Sequence, residues 1–100
     1  MDSSRKIGVV TVTYNSGAVI RDFVESLLKQ THRDFLLYVI DNASTDDTVA
    51  LFADYPAPRI VVVRNPSNVG VAEGNNLGIR AALRDGCTSV LLINNDTSER

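Results

Sequence analysis

The chain has 100 residues, 44% of them hydrophobic, and carries ten Lys and Arg against twelve Asp and Glu, for a formal net charge of −2. That length holds one domain. The basic residues are scattered, never more than two adjacent, which excludes a general nucleic-acid binder, since neutralising phosphates needs a concentrated basic face. The single Cys87 excludes an internal disulfide and a cysteine-based metal cluster, and it suits a reducing compartment.

After Met1–Lys6 comes the apolar stretch Ile7-Gly8-Val9-Val10. Thr11, Thr13, Tyr14, Asn15 and Ser16 interrupt it too early for the core of a signal peptide. No stretch approaches the roughly 18 apolar residues of a transmembrane helix. A cytoplasmic domain is expected, compatible with a peripheral place for its parent protein at the inner face of a membrane.

The elements follow in chain order. Ile7–Thr13 is a β-branched run; Leu36–Ile40, Ile60–Val63 and Val90–Ile93 are near-continuous apolar runs. Strands buried on both faces read this way, which marks a parallel sheet. Between them lie helical patterns. Ile20, Phe23, Val24, Leu27 and Leu28 form one apolar stripe, with Ser16 as the N-cap. A second helix is predicted to open at Ser44-Thr45-Asp46-Asp47, a capping-box-like pattern, to carry Val49, Phe52 and Tyr55 inward, and to end before Pro56 and Pro58. A third spans about Val71 to Arg84, packs Leu77, Ala81 and either Ala82 or Leu83, and stops at Gly86. The order βαβαβαβ predicts a Rossmann-like three-layer α/β/α fold with a mainly parallel sheet.

In such sheets ligands bind beyond the carboxyl ends of the strands, where the topology switches. Those ends are Thr13-Tyr14-Asn15, Asp41-Asn42, Arg64-Asn65 and Asn94-Asn95-Asp96. All four are polar. The first turn lacks G-x-G-x-x-G, and no G-x-x-x-x-G-K-[ST] occurs, so neither the dinucleotide fingerprint nor a P-loop is present. Gly70, Gly74 and Gly78, spaced by four, offer a bare helix row for close packing or for a ligand. Asp41, at the mouth of a buried strand, is placed to accept a ring N–H of uracil or thymine; shaping the turn towards Ser44 is its other reading. Asp96, one carboxylate among amides, suits Mg²⁺ or Mn²⁺ held partly by a substrate diphosphate. His32, at the end of the first helix, is read as helix-terminal company.

Val10-Thr11-Val12-Thr13-Tyr14-Asn15, Asp41-Asn42-Ala43-Ser44-Thr45-Asp46-Asp47-Thr48, Asn68-Val69-Gly70 through Asn76-Leu77-Gly78-Ile79, and Leu92-Ile93-Asn94-Asn95-Asp96 together resemble the family 2 glycosyltransferases, inverting enzymes of the nucleotide-diphospho-sugar transferase (GT-A) fold. The resemblance covers about residues 6 to 97. It implies that Thr13, Tyr14 and Asn15 line the nucleoside pocket. It further implies that Asp41 bonds the uracil or thymine ring, that Asn76 stands in the donor site, and that Asp96 ligates the divalent metal as the last aspartate of the D-x-D motif. Asn94 takes the place of that motif's first aspartate, giving an N-x-D form like that of branches resembling rhamnosyl and related transferases. Asn75 stands where many members carry an arginine.

The resemblance also implies partners: a UDP- or dTDP-sugar donor and a saccharide or lipid-linked acceptor. The family's general-base aspartate lies well downstream of D-x-D, so the donor half is expected here without the acceptor half. With the covering half missing, a dimer through an exposed sheet edge is expected. Two other classes compete. A sugar-nucleotide nucleotidyltransferase needs a glycine-rich, arginine-bearing loop after the first strand. A non-catalytic nucleotide-binding or receiver-like signalling module needs an acidic cluster there. Thr13-Tyr14-Asn15-Ser16 is neither.

Overall fold

The computed structural model describes residues 6–29, 35–52 and 60–93. In chain order these form β1 (Ile7–Thr13), α1 (Gly17–Leu28), β2 (Phe35–Asp41), α2 (Thr48–Leu51), β3 (Ile60–Arg64), α3 (Val71–Arg84) and β4 (Ser89–Leu92). The strands make one sheet in the order β3-β2-β1-β4, and all three pairings are parallel. The chain therefore steps outward from β1 to β3 and returns to the other side of β1, which places the topological switch between β1 and β4.

The alternation of side chains along the strands divides the core into two layers. On one face Val9, Leu37 and Val39 pack with Ile20 and Val24 of α1 and with Phe52 beyond α2. On the other, Val10, Tyr38 and Ile40 pack with Ala81 and Ala82 of α3 and with Cys87. This is the three-layer α/β/α arrangement. Each fully buried Val, Ile or Leu contributes roughly 1.5–3 kcal/mol. The apolar stripe of α1 buries Ile20 and Val24 fully and Phe23 and Leu27 in part.

Helix α3 lies close to the sheet because two of its residues have no side chain. A Cβ on Gly74 would stand 2.9 Å from Val12 Cγ2, and one on Gly78 would collide with Val10 Cγ1. The glycine row is thus a packing device. Ala82 is buried in the same seam, whereas Leu83 is 59% exposed, which resolves the choice between them. Gly86 ends the helix with φ +92. At that end the buried Tyr38 hydroxyl donates to Asp85 Oδ2 at 2.9 Å and lies 3.8 Å from Cys87 Sγ. Burial, reinforced by the Asp85 carboxylate, pushes the Tyr38 phenol well above its usual value.

Three expectations need correction. Helix α2 begins at Thr48, not at Ser44, and its N-cap Asp47 makes no side-chain capping bond. Ser44 instead donates its hydroxyl to Asp41, because a carboxylate at a buried strand end takes the nearest donors available. Ser16 does occupy the N-cap of α1, but its hydroxyl donates to the Tyr14 carbonyl and not into the helix. Finally, β4 was expected to be buried on both faces, yet Leu91 and Leu92 are 52% and 51% exposed, because β4 is an edge strand. Tyr55, Pro56, Pro58 and His32 lie outside the described residues. No described helix is long and apolar enough to cross a membrane.

Candidate functional site

The parallel register sets Thr13, Asp41 and Arg64 side by side at the carboxyl edge of the sheet. The ladder runs one step past the strands: Asn42 N–H donates to the Thr13 carbonyl and Asn65 N–H to the Asp41 carbonyl, both at 2.8 Å. By strand parity Thr13, Asp41 and Arg64 share the face of Val9, Val39 and Val62. Thr13 and Asp41 are buried, Asp41 to 1% exposure, while Arg64 is exposed.

Burying a carboxylate needs compensating donors, and three are present. Thr13 Oγ1 donates to Asp41 Oδ1 at 2.6 Å, Ser44 Oγ donates to the same oxygen at 2.6 Å, and Ser44 N–H donates to Oδ2 at 2.9 Å. Ala43 makes the last two possible by adopting φ +63, which turns the chain back towards Asp41. A left-handed alanine costs roughly 1–2 kcal/mol, within what bonds to a charged group return.

The loop after β1 is tied to the loop after β2 by Asn15. Its φ of +48 is a conformation that asparagine tolerates. Its Oδ1 accepts from Thr45 N at 2.7 Å and from Asp46 N at 3.2 Å, while its own N–H donates to Ser44 Oγ at 2.8 Å. Asp46 joins the two helix starts: its carboxylate accepts from Gly17 N at 3.1 Å, from Thr48 N at 2.9 Å and from the Thr48 hydroxyl. The Thr48 hydroxyl and N–H are the first causes holding the Asp46 carboxyl below its usual range. Thr48 Oγ1, fully buried, accepts in turn from Ser16 N–H at 2.8 Å.

Asn42 ties the third side. Buried to 2% exposure, it donates Nδ2 to the Gly70 carbonyl at 3.2 Å and accepts at Oδ1 from Asn65 Nδ2 at 2.8 Å and from Val69 N at 3.4 Å. The segment leading into α3 is thereby fixed to the end of β2, and Gly70 turns it with φ +88.

Of the residues expected in the site, the structure brings Thr13, Asn15 and Asp41 into one hydrogen-bonded set. Tyr14 stands beside them, 52% exposed. Asn76 is apart, exposed on the second turn of α3. Asn94 and Asp96 lie outside the described residues. Sequence reasoning gave Ser44 to a helix cap, placed Asn42 at the polar strand end and in the turn towards Ser44 without a ligand role, and left Thr48 without a role in the site. The signal for Ser44 was its spacing of three from a strand-terminal aspartate, the spacing at which a side chain closes a local turn. Among the described residues no group of three His, Cys, Asp or Glu is gathered as a metal site.

A parallel sheet whose polar carboxyl edge flanks its switch point defines an α/β protein that takes its ligand beyond the strand ends. The chain belongs to glycosyl transferase family 2, whose model matches residues 8–98. It is 30% identical over 89 residues to the glycosyltransferase GlyG of Streptococcus pneumoniae, covering 87% of this chain and 30% of that protein. Among solved structures, S. aureus TarS in complex with UDP-GlcNAc superposes with a TM-score of 0.79 at 27% identity, covering 91% of this chain and 26% of TarS. The mannosyltransferase PcManGT of Pyrobaculum calidifontis, in complex with GDP-Man and Mn²⁺, gives a TM-score of 0.70 at 26% identity, covering 80% of this chain and 25% of that one. The chain thus spans less than a third of each of these proteins. With the family comes the GT-A type of α/β fold expected from the strand-end motifs.

Proposed function

We propose that this chain is the donor-binding part of a glycosyltransferase that uses a UDP- or dTDP-sugar, with Asp41 accepting the ring N–H of the base. The single observation that carries this reading is the Thr13–Asp41 pair, buried at the last rung of β1 and β2 and next to the switch point. Among the described residues three donors reach Asp41, fewer than the roughly four acceptor positions of a carboxylate, which supports a role in accepting one more. Tyr14, exposed at the same edge, supplies an aromatic face for the nucleoside.

Mg²⁺ or Mn²⁺ is assigned to Asp96. Asp41 and Asp46, at the described edge, already accept from hydroxyl and N–H donors. They are poorly disposed to ligate a metal, which supports the reading, carried from the family motif, that Asp96 holds the ion together with the donor's own diphosphate. The ion would neutralise charge on the departing diphosphate. Asn94, neutral at the sugar end, supports a rhamnosyl-type donor. Transfer with inversion to a saccharide or lipid-linked hydroxyl needs a general base, which this reading assigns to the acceptor half of the parent protein.

The test is calorimetric titration with UDP and dTDP, with and without Mn²⁺. Asp41→Ala should weaken binding in the absence of metal, and Asp96→Ala should remove mainly the metal-dependent part. The absence of heat with either nucleotide at millimolar concentration, with or without metal, would end this reading.

A further inference from the structure

The turn between α3 and β4 is tied to both central strands at the amino edge of the sheet. Helix α3 is capped by Asp85, Gly86 turns the chain with φ +92, and β4 starts at Ser89. The tie to β1 runs through Lys6. Thr88 N–H donates to the Lys6 carbonyl at 2.8 Å, Lys6 N–H donates to Thr88 Oγ1 at 3.3 Å, and Lys6 Nζ donates to the Asp85 carbonyl at 2.9 Å. The tie to β2 is the Tyr38 hydroxyl, which donates to Asp85 Oδ2 at 2.9 Å.

β4 depends on such ties. It is four residues long, lies at the edge of the described sheet beside β1, and leaves Leu91 and Leu92 half exposed. Register is strongly specified where a strand face is buried and weakly where it is not, so the packing of β4 does little to set its position along β1. That position matters for the ligand. A nucleotide whose base lies at Asp41, at the end of β2, reaches the switch point by extending its phosphates past β1 towards β4.

We propose that Tyr38, through Asp85, is a positioning residue for the diphosphate end of the donor, because it fixes the axial seat of β4 against β1. This inference rests on the reading of the chain as the part that binds a UDP- or dTDP-sugar. Lys6 and Thr88 hold the turn to β1, the strand along which β4 would slide. Tyr38 holds it to β2, which does not pair with β4, and anchors on two strands resist tilting as well as sliding. The Tyr38 ring is fully buried and packs with Val10, Ala82 and Cys87, so its hydroxyl is a rigid point of attachment. The carboxyl edge lies on the order of 15 Å away along β1, at about 3.3 Å per residue. Tyr38 therefore reaches the ligand through β4 and not by contact.

The experiment is titration of the chain with UMP and UDP at one fixed Mn²⁺ concentration, in wild type, Tyr38→Phe, Asp85→Ala and Asp85→Asn. The two ligands differ only in the second phosphate. Wild type should prefer UDP. Tyr38→Phe and Asp85→Ala should lower the UDP-to-UMP affinity ratio by about tenfold, the scale of one hydrogen bond to a charged group, with UMP affinity kept. Asp85→Asn keeps an acceptor for the Tyr38 hydroxyl and should keep the ratio. Asp85 is exposed, so its variants test the bond without opening the core. Equal losses for UMP and UDP in Tyr38→Phe and Asp85→Ala would assign the bond to general stability and overturn the inference. So would a ratio unchanged in both, or a wild type without preference for UDP, and each of these leaves the proposed function standing. Failure of wild type to bind either nucleotide removes the proposed function, and the inference with it.

Discussion

Thr13 and Asp41 are register partners on the last rung between β1 and β2, and the Thr13 hydroxyl donates to the Asp41 carboxylate at 2.6 Å with both residues buried. The bond stitches the two central strands at the edge where the polar loops begin. Thr13→Val keeps the shape of the side chain and removes the donor. It should cost about 1.5–3 kcal/mol, the range for a hydrogen bond to a charged group. Urea denaturation should show this as a lower midpoint with an unchanged slope.

Gly78 and Gly70 make a matched pair of tests. Gly78→Ala places a methyl against Val10 Cγ2 at 3.0 Å and Ile40 Cγ1 at 3.2 Å, besides colliding with Val10 Cγ1. Overpacking of this kind costs about 1–3 kcal/mol and should outweigh the gain of roughly 1 kcal/mol from alanine's helix propensity. Gly70→Ala meets nothing within 4 Å, but its φ +88 and ψ 165 lie in a region essentially confined to glycine, so it should cost about 1–3 kcal/mol through backbone strain alone. Thermal melts of the two variants should both fall, and opening space beside position 78 by a Val10→Ala change should rescue only Gly78→Ala.

Asn15 combines a left-handed backbone with a side chain that accepts from the Thr45 and Asp46 amides. Asn15→Gly removes the side-chain bonds and keeps the conformation. Asn15→Ala removes the bonds and adds strain. The alanine variant should therefore be less stable than the glycine variant by about 1 kcal/mol, the reverse of the usual order of these residues. Equal stabilities by chemical denaturation would show that φ at this position relaxes freely.

Asp46 gives the stability a dependence on acid. Its folded pKa is lowered from the ordinary 3.8, first through the Thr48 hydroxyl. A lowered folded pKa means stability that is fully present above the unfolded value and lost as pH falls through the folded one. Asp46→Asn should therefore be less stable than wild type at neutral pH, and the difference should shrink below about pH 3.8. Urea midpoints collected from pH 2 to pH 7 check this; a difference constant across that range would assign the effect to something other than the carboxylate's charge.

The edge strand β4 leaves Leu91 and Leu92 about half exposed. Unpaired strand edges with apolar side chains invite pairing with another copy. The chain alone should self-associate in light scattering at high concentration, and Leu91→Lys should shift it towards monomer.

Much of the frame was legible before the structure. The bounds of β1 and α3 coincide with the runs Ile7–Thr13 and Val71–Arg84, because each is set by its own composition: β-branched residues in one, and helix formers closed by Gly86 in the other. The second helix was legible, but its start was not. Ser44 and Asp47 have the spacing of a cap, and only the burial of Asp41 decides that Ser44 turns to the strand end instead. The exposure of β4 was hidden for a related reason, since an apolar run does not say whether a neighbour covers it. In the site, the adjacency of Thr13 and Asp41 follows from the rule for strand ends. The ties made by Asn15 and Asn42 depend on a register between strands and on loop conformations that no local pattern encodes.

Asn42 has a thermodynamic consequence. From one buried side chain it holds Gly70, Asn65 and Val69, so the end of β2 and the loop from β3 to α3 reach the ligand edge already assembled. A ligand arriving there meets loops whose ordering was completed during folding, and its binding should carry a small entropic penalty. The same economy makes Asn42 a point of failure. A variant such as Asn42→Ala would free those segments together, and the loss would surface as weaker, more enthalpy-dependent binding by a protein whose sheet is still intact.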